Sequence, residues 1–451
     1  MVRFLGAPRR GRRIRQVLKA GVECKPLAGA GRTLAFALAA ACAAPGAGAQ
    51  TLEQKVEVLQ QEIDELKAQG QRAAPQNQPS ARQSSQENAS ALDRAETLGS
   101  GATSFAGYGE AAYSKLRQSG DATADLTRFV FGIYHRFNDR LTFQSEVEWE
   151  HGVVSSEDHG ESEVEQAWLN YKFRDEVNVK GGLFLIPLGI INETHEPPTY
   201  YGVFRNDVET RIIPTTWREL GLGVHGLVSG GFRYDVGLTT GFDSGKFDDP
   251  GFGIRSAHQE GQLANSRNLS VYGALNYRTP GLLLGGGVFT GDTGQNGMSN
   301  PALQGVAARL TLWDVHAQYR TDRLDLQALY ASGTLGDADK VTAAILAAAA
   351  APSDAFAAPK AFKGGYLQAA YHVHKNGDLD VAPFVRIERF DIEQAEDPAN
   401  GLLQDPRNNE RVRTVGVNLK IHPQVVLKTD TQWYTTDKSK NRFDLGIGYM
   451  F

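Results

Sequence analysis

From residue 104 to the end of the chain, apolar and polar positions alternate with a period of two. The last run is the clearest: Phe443, Leu445, Ile447, Tyr449 and Phe451 alternate with Arg442, Asp444, Gly446, Gly448 and Met450. Such a period places successive side chains on opposite faces of a strand. Runs of this kind predict strands at 104–116, 123–137, 140–152, 162–174, 177–187, 215–228, 231–243, 265–278, 281–291, 304–321, 323–334, 362–375, 378–391, 409–422, 424–437 and 441–451. That makes sixteen, an even number, as a closed antiparallel barrel requires. The connections alternate in length. Asn138-Asp139, Asp175-Glu176, Ser229-Gly230, Thr279-Pro280, Thr321-Asp322, Asn376-Gly377 and His422-Pro423 mark tight turns. Between them lie longer segments, notably 188–214, 244–264, 335–361 and 392–408. Short turns at one end and long loops at the other fit a 16-stranded transmembrane β-barrel over 104–451, an all-β fold.

The alternation also assigns faces. Phe129, Phe131 and Ile133; Leu141, Phe143, Val147 and Trp149; Ala167, Leu169, Tyr171 and Phe173; and Leu367, Ala369, Tyr371 and Val373 are expected to face lipid. Trp149, Tyr171, Phe173 and Tyr449 lie where interfacial girdles form. The opposite parity sends Arg128, Arg136, Glu146, Glu148, Lys172, Lys180, Arg309, Arg386, Glu388, Lys428, Asp430, Arg442 and Asp444 toward the lumen. Charges of both signs are costly against hydrocarbon, so this parity predicts a water-filled interior. The alanine-rich stretch Ala343 to Ala351 predicts one or two helical turns within a long loop.

The first hundred residues follow other rules. Arg3 to Arg32 is a basic run, Thr33 to Ala44 is apolar, and Ala47-Gly48-Ala49 supplies small residues. That is the layout of a secretory signal peptide over 1–49, cleaved after Ala49. Leu52, Val56, Leu59, Ile63 and Leu66 form a heptad seam, so 50–69 is expected to be a short coiled coil lying in the periplasm. Fewer than three heptads are marginal alone, and this seam would favour a dimer in isolation. Residues 70–103, poor in apolar side chains, read as a flexible linker. Both cysteines, Cys24 and Cys42, fall within the signal segment. The net charge of −5 at pH 7 lacks the concentrated basic surface that nucleic acid requires. A mean hydropathy of −0.36 does not oppose a barrel, which shows lipid only every second residue.

One loop departs from the solvated type. Segment 188–214 carries Ile190, Ile191, Tyr200, Tyr201, Val203, Phe204, Ile212 and Ile213, and prolines at 197, 198 and 214 stiffen it. Such a loop is expected to fold into the barrel and narrow it. Glu193, His195, Glu196, Arg205, Asp207, Glu209 and Arg211 are then the pore-constriction residues, with the two arginines as anion-facing groups. The alternative is a loop that closes an oligomer axis with its charges solvated. No nucleophile elbow, phosphate loop or dinucleotide fingerprint occurs, and His195-Glu196 lacks the HExxH spacing. His372 and His374 share a strand face without a further ligand nearby in sequence. The expectation is therefore of a non-enzyme with no catalytic residue, cofactor or metal site.

The segment from Gly182 to Gly226, GLFLIPLGIINETHEPPTYYGVFRNDVETRIIPTTWRELGLGVHG, resembles the phosphate-selective porin O and P family. The resemblance extends as a barrel pattern over 104–451. It implies a trimeric outer-membrane porin with a loop-constricted pore for small anions such as phosphate. Partners would be the outer-membrane lipid, two further copies, the barrel-assembly machinery that reads the terminal strand, and small solutes, with no nucleic acid. The residues themselves give mixed signs, four acids against two arginines in the loop, and favour a general or weakly selective pore. Two other readings stay open: a barrel enzyme, and an envelope-tethering or assembly protein acting through the coiled coil.

Overall fold

The computed structural model describes residues 98–247, 250–349, 356–394, 402 and 404–451. The expected signal segment, coiled coil and most of the linker lie outside them.

The described chain forms one antiparallel sheet that closes on itself. Its strands are β1 (Thr103–Leu116), β2 (Ala122–Arg136), β3 (Leu141–Glu150), β4 (Ser162–Arg174), β5 (Val177–Leu185), β6 (Arg218–Val228), β7 (Phe232–Thr239) and β8 (Ser270–Thr279), followed by β9 (Leu282–Asp292), β10 (Arg309–Arg320), β11 (Leu324–Leu335), β12 (Ala361–Tyr371), β13 (His374–Asn376), β14 (Leu379–Asp391), β15 (Asn409–His422), β16 (Val425–Tyr434) and β17 (Arg442–Met450). Sequence neighbours pair around the wall, except that β12 and β13 both pair with β14, and β1 pairs with β17. The short β13 continues β12 along β14, so the two make one wall strand and the barrel has sixteen. Closure sets Tyr108 against Met450, and Phe451 exchanges backbone hydrogen bonds with Gly107 at 2.8 and 3.1 Å.

Turn chemistry fixes the short connections. The Asn138 side chain accepts from the backbone N–H groups of Arg140 and Leu141, at 2.9 and 3.0 Å. Gly230 and Gly377 take positive φ, +83° and +59°, where a side chain would be strained. Expected strand ends were generous at the long-loop end. Residues 215–217, 240–243, 265–269 and 304–308 belong to loops.

The outer face is apolar. Leu367, Leu222, Phe173 and Ile447 are all exposed outward, as are the aromatic Trp149 and Tyr171. One inner-face assignment is corrected. On β10 the buried Leu310, Leu312 and Asp314 set the inward parity, and Arg309 shares the outward parity of Trp313 and Val315. It sits at the strand's first position, paired with Asp292 at 2.7 Å, at a rim where a guanidinium reaches water.

The interior is not uniformly polar. At the long-loop end, Leu310, Leu312, Leu329, Leu335 and Phe362 point inward and are buried. They join Ile186, Leu188, Val208, Ile212, Ile213, Trp217, Phe242 and Phe289 in one hydrophobic cluster. The Trp217 ring lies 4.5 Å from Phe289 and 5.3 Å from Phe242. Helix α1 (Val208–Arg211) lies in this cluster, as do Val341, Ala344 and Ile345 of α2 (Ala338–Ala348). Loops thus fold into the barrel mouth and bury apolar surface, each large side chain contributing roughly 1.5–3 kcal/mol. A period of two cannot reveal this, because β10 is apolar on both faces here.

Candidate functional site

The chain between β5 and β6, residues 186–217, turns into the barrel, and its hydrogen bonds reach β1, β10, β12 and β14–β16. Gly189 N–H donates to Asp314 on β10 at 3.2 Å. Tyr200 donates to Glu110 on β1 at 2.6 Å, and its carbonyl accepts from Asn418 on β15 at 3.0 Å. The Tyr201 carbonyl accepts from Arg386 on β14 at 3.0 Å. Val203 N–H donates to Asp430 on β16 at 2.7 Å. Tyr434 on β16 donates to Asp207 at 2.8 Å, and Tyr366 on β12 donates to Glu209 at 2.7 Å. Two inner-face glycines of β17 make room. A Cβ on Gly448 would stand 2.3 Å from Pro197, and one on Gly446 would stand 2.9 Å from Val203.

The seven loop residues expected to line a constriction separate into different environments. Glu193 is exposed and faces open space. Glu196 is buried. His195 is buried, with Nε2 2.7 Å from Glu165 Oε1 and from the Tyr108 hydroxyl. Asp207 and Arg211 pair with each other at 2.7 Å, one turn apart in α1, and Arg211 also lies over the Phe390 ring. That partner and the Tyr434 hydroxyl hold the Asp207 carboxyl below its ordinary range, although burial alone would raise it. Arg205 donates to Thr216 at 3.2 Å, and its Nε and second terminal nitrogen are buried without partners. Glu209 has no exposed surface. It accepts from the backbone of Ile190 and Ile191, both at 2.7 Å, from Tyr366, and from Asn206 at 3.3 Å. Burial pushes its carboxyl up, and these bonds pull against that shift. Glu209 is an internal anchor rather than a pore-facing group.

The wall charges are inward, Arg309 excepted, and most are engaged by partners inside the barrel. Arg386 and Glu388 are 2% and 1% exposed and pair at 2.7 Å beneath the loop. Arg128 bridges Glu110 and Glu148 at 2.8 and 3.0 Å. Lys180 pairs with Asp235 at 2.5 Å, and Arg442 with Asp444 at 3.0 Å while lying over the Phe204 ring. Lys428 sits 3.5 Å from the Tyr200 ring centroid, and Asp430 carries the Val203 bond. Glu146 accepts from Tyr134 and from Gln166, the latter at 2.7 Å. Arg136 and Lys172 lie near the tight turns, paired with Asp139 and Asp175. His372, expected to lack a further ligand, meets Asp380 at 2.7 Å.

The loop leaves one side of the interior free. A cavity of about 840 Å³, counting its open mouth, lies between the loop and β8–β11. Its polar lining includes Glu193, Thr194, Asn276, Arg278, His316, Gln318, Arg320 and Gln327. Sequence reasoning missed Arg278 and Arg320. Both have inner-face parity but sit at the turn ends of their strands, Arg278 one residue from the end of β8 and Arg320 at the end of β10, where a parity count is least certain. Glu165 was missed for another reason. The register shifts between Glu146 and Val147, which face Gln166 and Val164, so Glu165 is the extra residue of a β-bulge. Glu165 and Gln166 are therefore both buried inside.

No family model matches the chain. An "Uncharacterized protein" of Aquifex aeolicus (strain VF5) is 31% identical over 361 residues, spanning 77% of this chain and 80% of its own. Among solved structures, Salmonella typhi OmpF in complex with daunomycin has a TM-score of 0.53 at 14% identity, covering 78% of this chain and 98% of its own. The anion-selective porin of Comamonas acidovorans has 0.49 at 13% identity, covering 78% and 99%. The OmpF likeness extends to fold alone: a sixteen-stranded closed barrel. The chain belongs to one family with the Aquifex aeolicus protein.

Proposed function

We propose that the protein is an outer-membrane porin, a homotrimeric passive channel for small hydrophilic solutes and ions, with anions such as phosphate among them. The outward apolar belt suits lipid. The observation that carries the reading is the inward loop. It is fastened to β1, β10, β12 and β14–β16 and leaves a polar cavity against β8–β11.

Passage would follow that cavity, narrowed by segment 188–214. Glu193 on the loop faces a lining that holds Arg278 and Arg320, and Arg320 is itself paired with Asp325 at 3.0 Å. Opposed signs at close range give weak charge preference, whereas a phosphate trap needs uncompensated cations. Arg205 and Arg211 lie away from this lining and would act on selectivity through the loop's field.

Liposome swelling with sugars of graded size, and zero-current potentials in salt gradients, test the reading. Passage limited to small solutes is expected. Replacing Arg278 and Arg320 together by Ala should move selectivity toward cations, more than replacing Arg205 and Arg211. Liposomes that stay sealed to the smallest sugars would remove the channel reading. An unchanged potential in Arg278→Ala/Arg320→Ala would place the filter elsewhere.

A further inference from the structure

We infer that Glu146, Glu165 and His195 form a binding site for one divalent transition-metal ion, zinc in the test below, that clasps the inward loop to the barrel wall. Three elements contribute one ligand each: β3, β4 and the loop. One donor atom from each residue lies within 4.8 Å of the others, and all three residues are buried.

The backbone aims these groups at one another. Glu165 points inward only because of the bulge opposite Glu146, the kind of local irregularity that redirects a side chain. His195 Nδ1 lies 3.0 Å from the Asn192 carbonyl, which can only accept, so that nitrogen carries the hydrogen. Nε2 is then left facing Glu165 Oε1 at 2.7 Å. A histidine whose far nitrogen donates to a backbone carbonyl is the usual arrangement of a metal ligand. The carboxylates are braced in the same way: Glu146 by Tyr134 and Gln166, and Glu165 by the Tyr108 hydroxyl at 3.0 Å.

Charge favours a cation here. Among the described residues, no lysine or arginine forms an ion pair with Glu146 or Glu165. Two buried carboxylates around one imidazole leave negative charge that is expensive in a dry interior. A dication balances both carboxylates around a neutral imidazole, and any proton on Nε2 or the carboxyls leaves to water as it binds. One nitrogen and two oxygens suit zinc and its neighbours, with a water completing the shell.

The test reads metal content and does not depend on conductance. The full chain, refolded in detergent and folded by heat-modifiable gel migration, is loaded with zinc, desalted and analysed by mass spectrometry. One zinc per chain is expected. Glu165→Gln and His195→Gln should each retain at least about tenfold less, and His372→Gln should retain the unmodified amount. No retained zinc in the unmodified chain, or equal retention in the Glu165 and His195 variants, would overturn the site. If those variants do not fold, zinc X-ray absorption on the unmodified chain decides. A shell of nitrogen and oxygen at about 2.0–2.2 Å with one imidazole supports the clasp, and two or more imidazoles contradict it.

Discussion

Glu209 accepts hydrogen bonds from Ile190, Ile191, Asn206 and Tyr366, so one carboxylate joins both limbs of the inward loop to β12. Replacing it by Ala would strand those buried donors, each worth roughly 1–3 kcal/mol when unpaired. We expect Glu209→Ala to loosen the loop by on the order of 3 kcal/mol, read as faster proteolysis within 188–214 while the folded barrel still migrates as such on unheated gels. Proteolysis equal to the parent would deny the anchor. At this scale the sequence was legible in parity but not in role. Glu209 and His195 announced themselves as loop charges, yet both are spent on internal contacts, and only the packed loop reveals that. Arg309 was misplaced because β10 carries Leu310 and Leu312 on one face and Trp313 and Val315 on the other, so hydropathy does not fix its phase. Glu165 was hidden by a bulge that no pattern of period two contains.

The loop and β17 are matched as elements. Gly446 and Gly448 looked like the small polar side of a terminal strand, but they are seats for Val203 and Pro197. Gly448→Val should cost about 1–3 kcal/mol through overlap with Pro197 and push the loop toward the cavity. The expected readout is reduced solute passage with an unchanged strand content by circular dichroism; unchanged passage would show that the loop has room to shift. The loop after β14 offers a pH-dependent case. Burial, together with Asp405 and Asp391, raises the Glu393 carboxyl to about 7, against a bond from Asn408 at 2.6 Å. A group raised in the folded state stabilises below its unfolded pKa and loses that contribution as pH rises through the folded one. Cleavage within 392–408 should therefore increase from about pH 5 to about pH 8, and in Glu393→Gln the cleavage should not vary with pH. Elements were the most legible scale, since fifteen of the wall strands and the broken β12–β13 strand follow the alternation. Their long-loop ends were not, because apolar loop residues such as Trp217 and Phe242 continue the strand pattern into the packed mouth.

For the whole molecule, closure was readable from the even strand count and the last strand, and the seam joins Phe451 to Gly107. The filled interior was not readable. Its apolar cluster joins segments from 168 to 434, and wall charges such as Arg386 and Glu388 pair beneath the loop. A sixteen-stranded barrel is wide enough for a channel, and the proposed path is the cavity on the β8–β11 side. Single-channel recording from the refolded full chain in planar bilayers tests this most directly. Discrete currents closing in groups of three are expected, with larger and noisier steps in Glu209→Ala as the loop comes away. Bilayers that stay silent with both the parent and the loop-released variant, each shown to be folded, would contradict the channel reading.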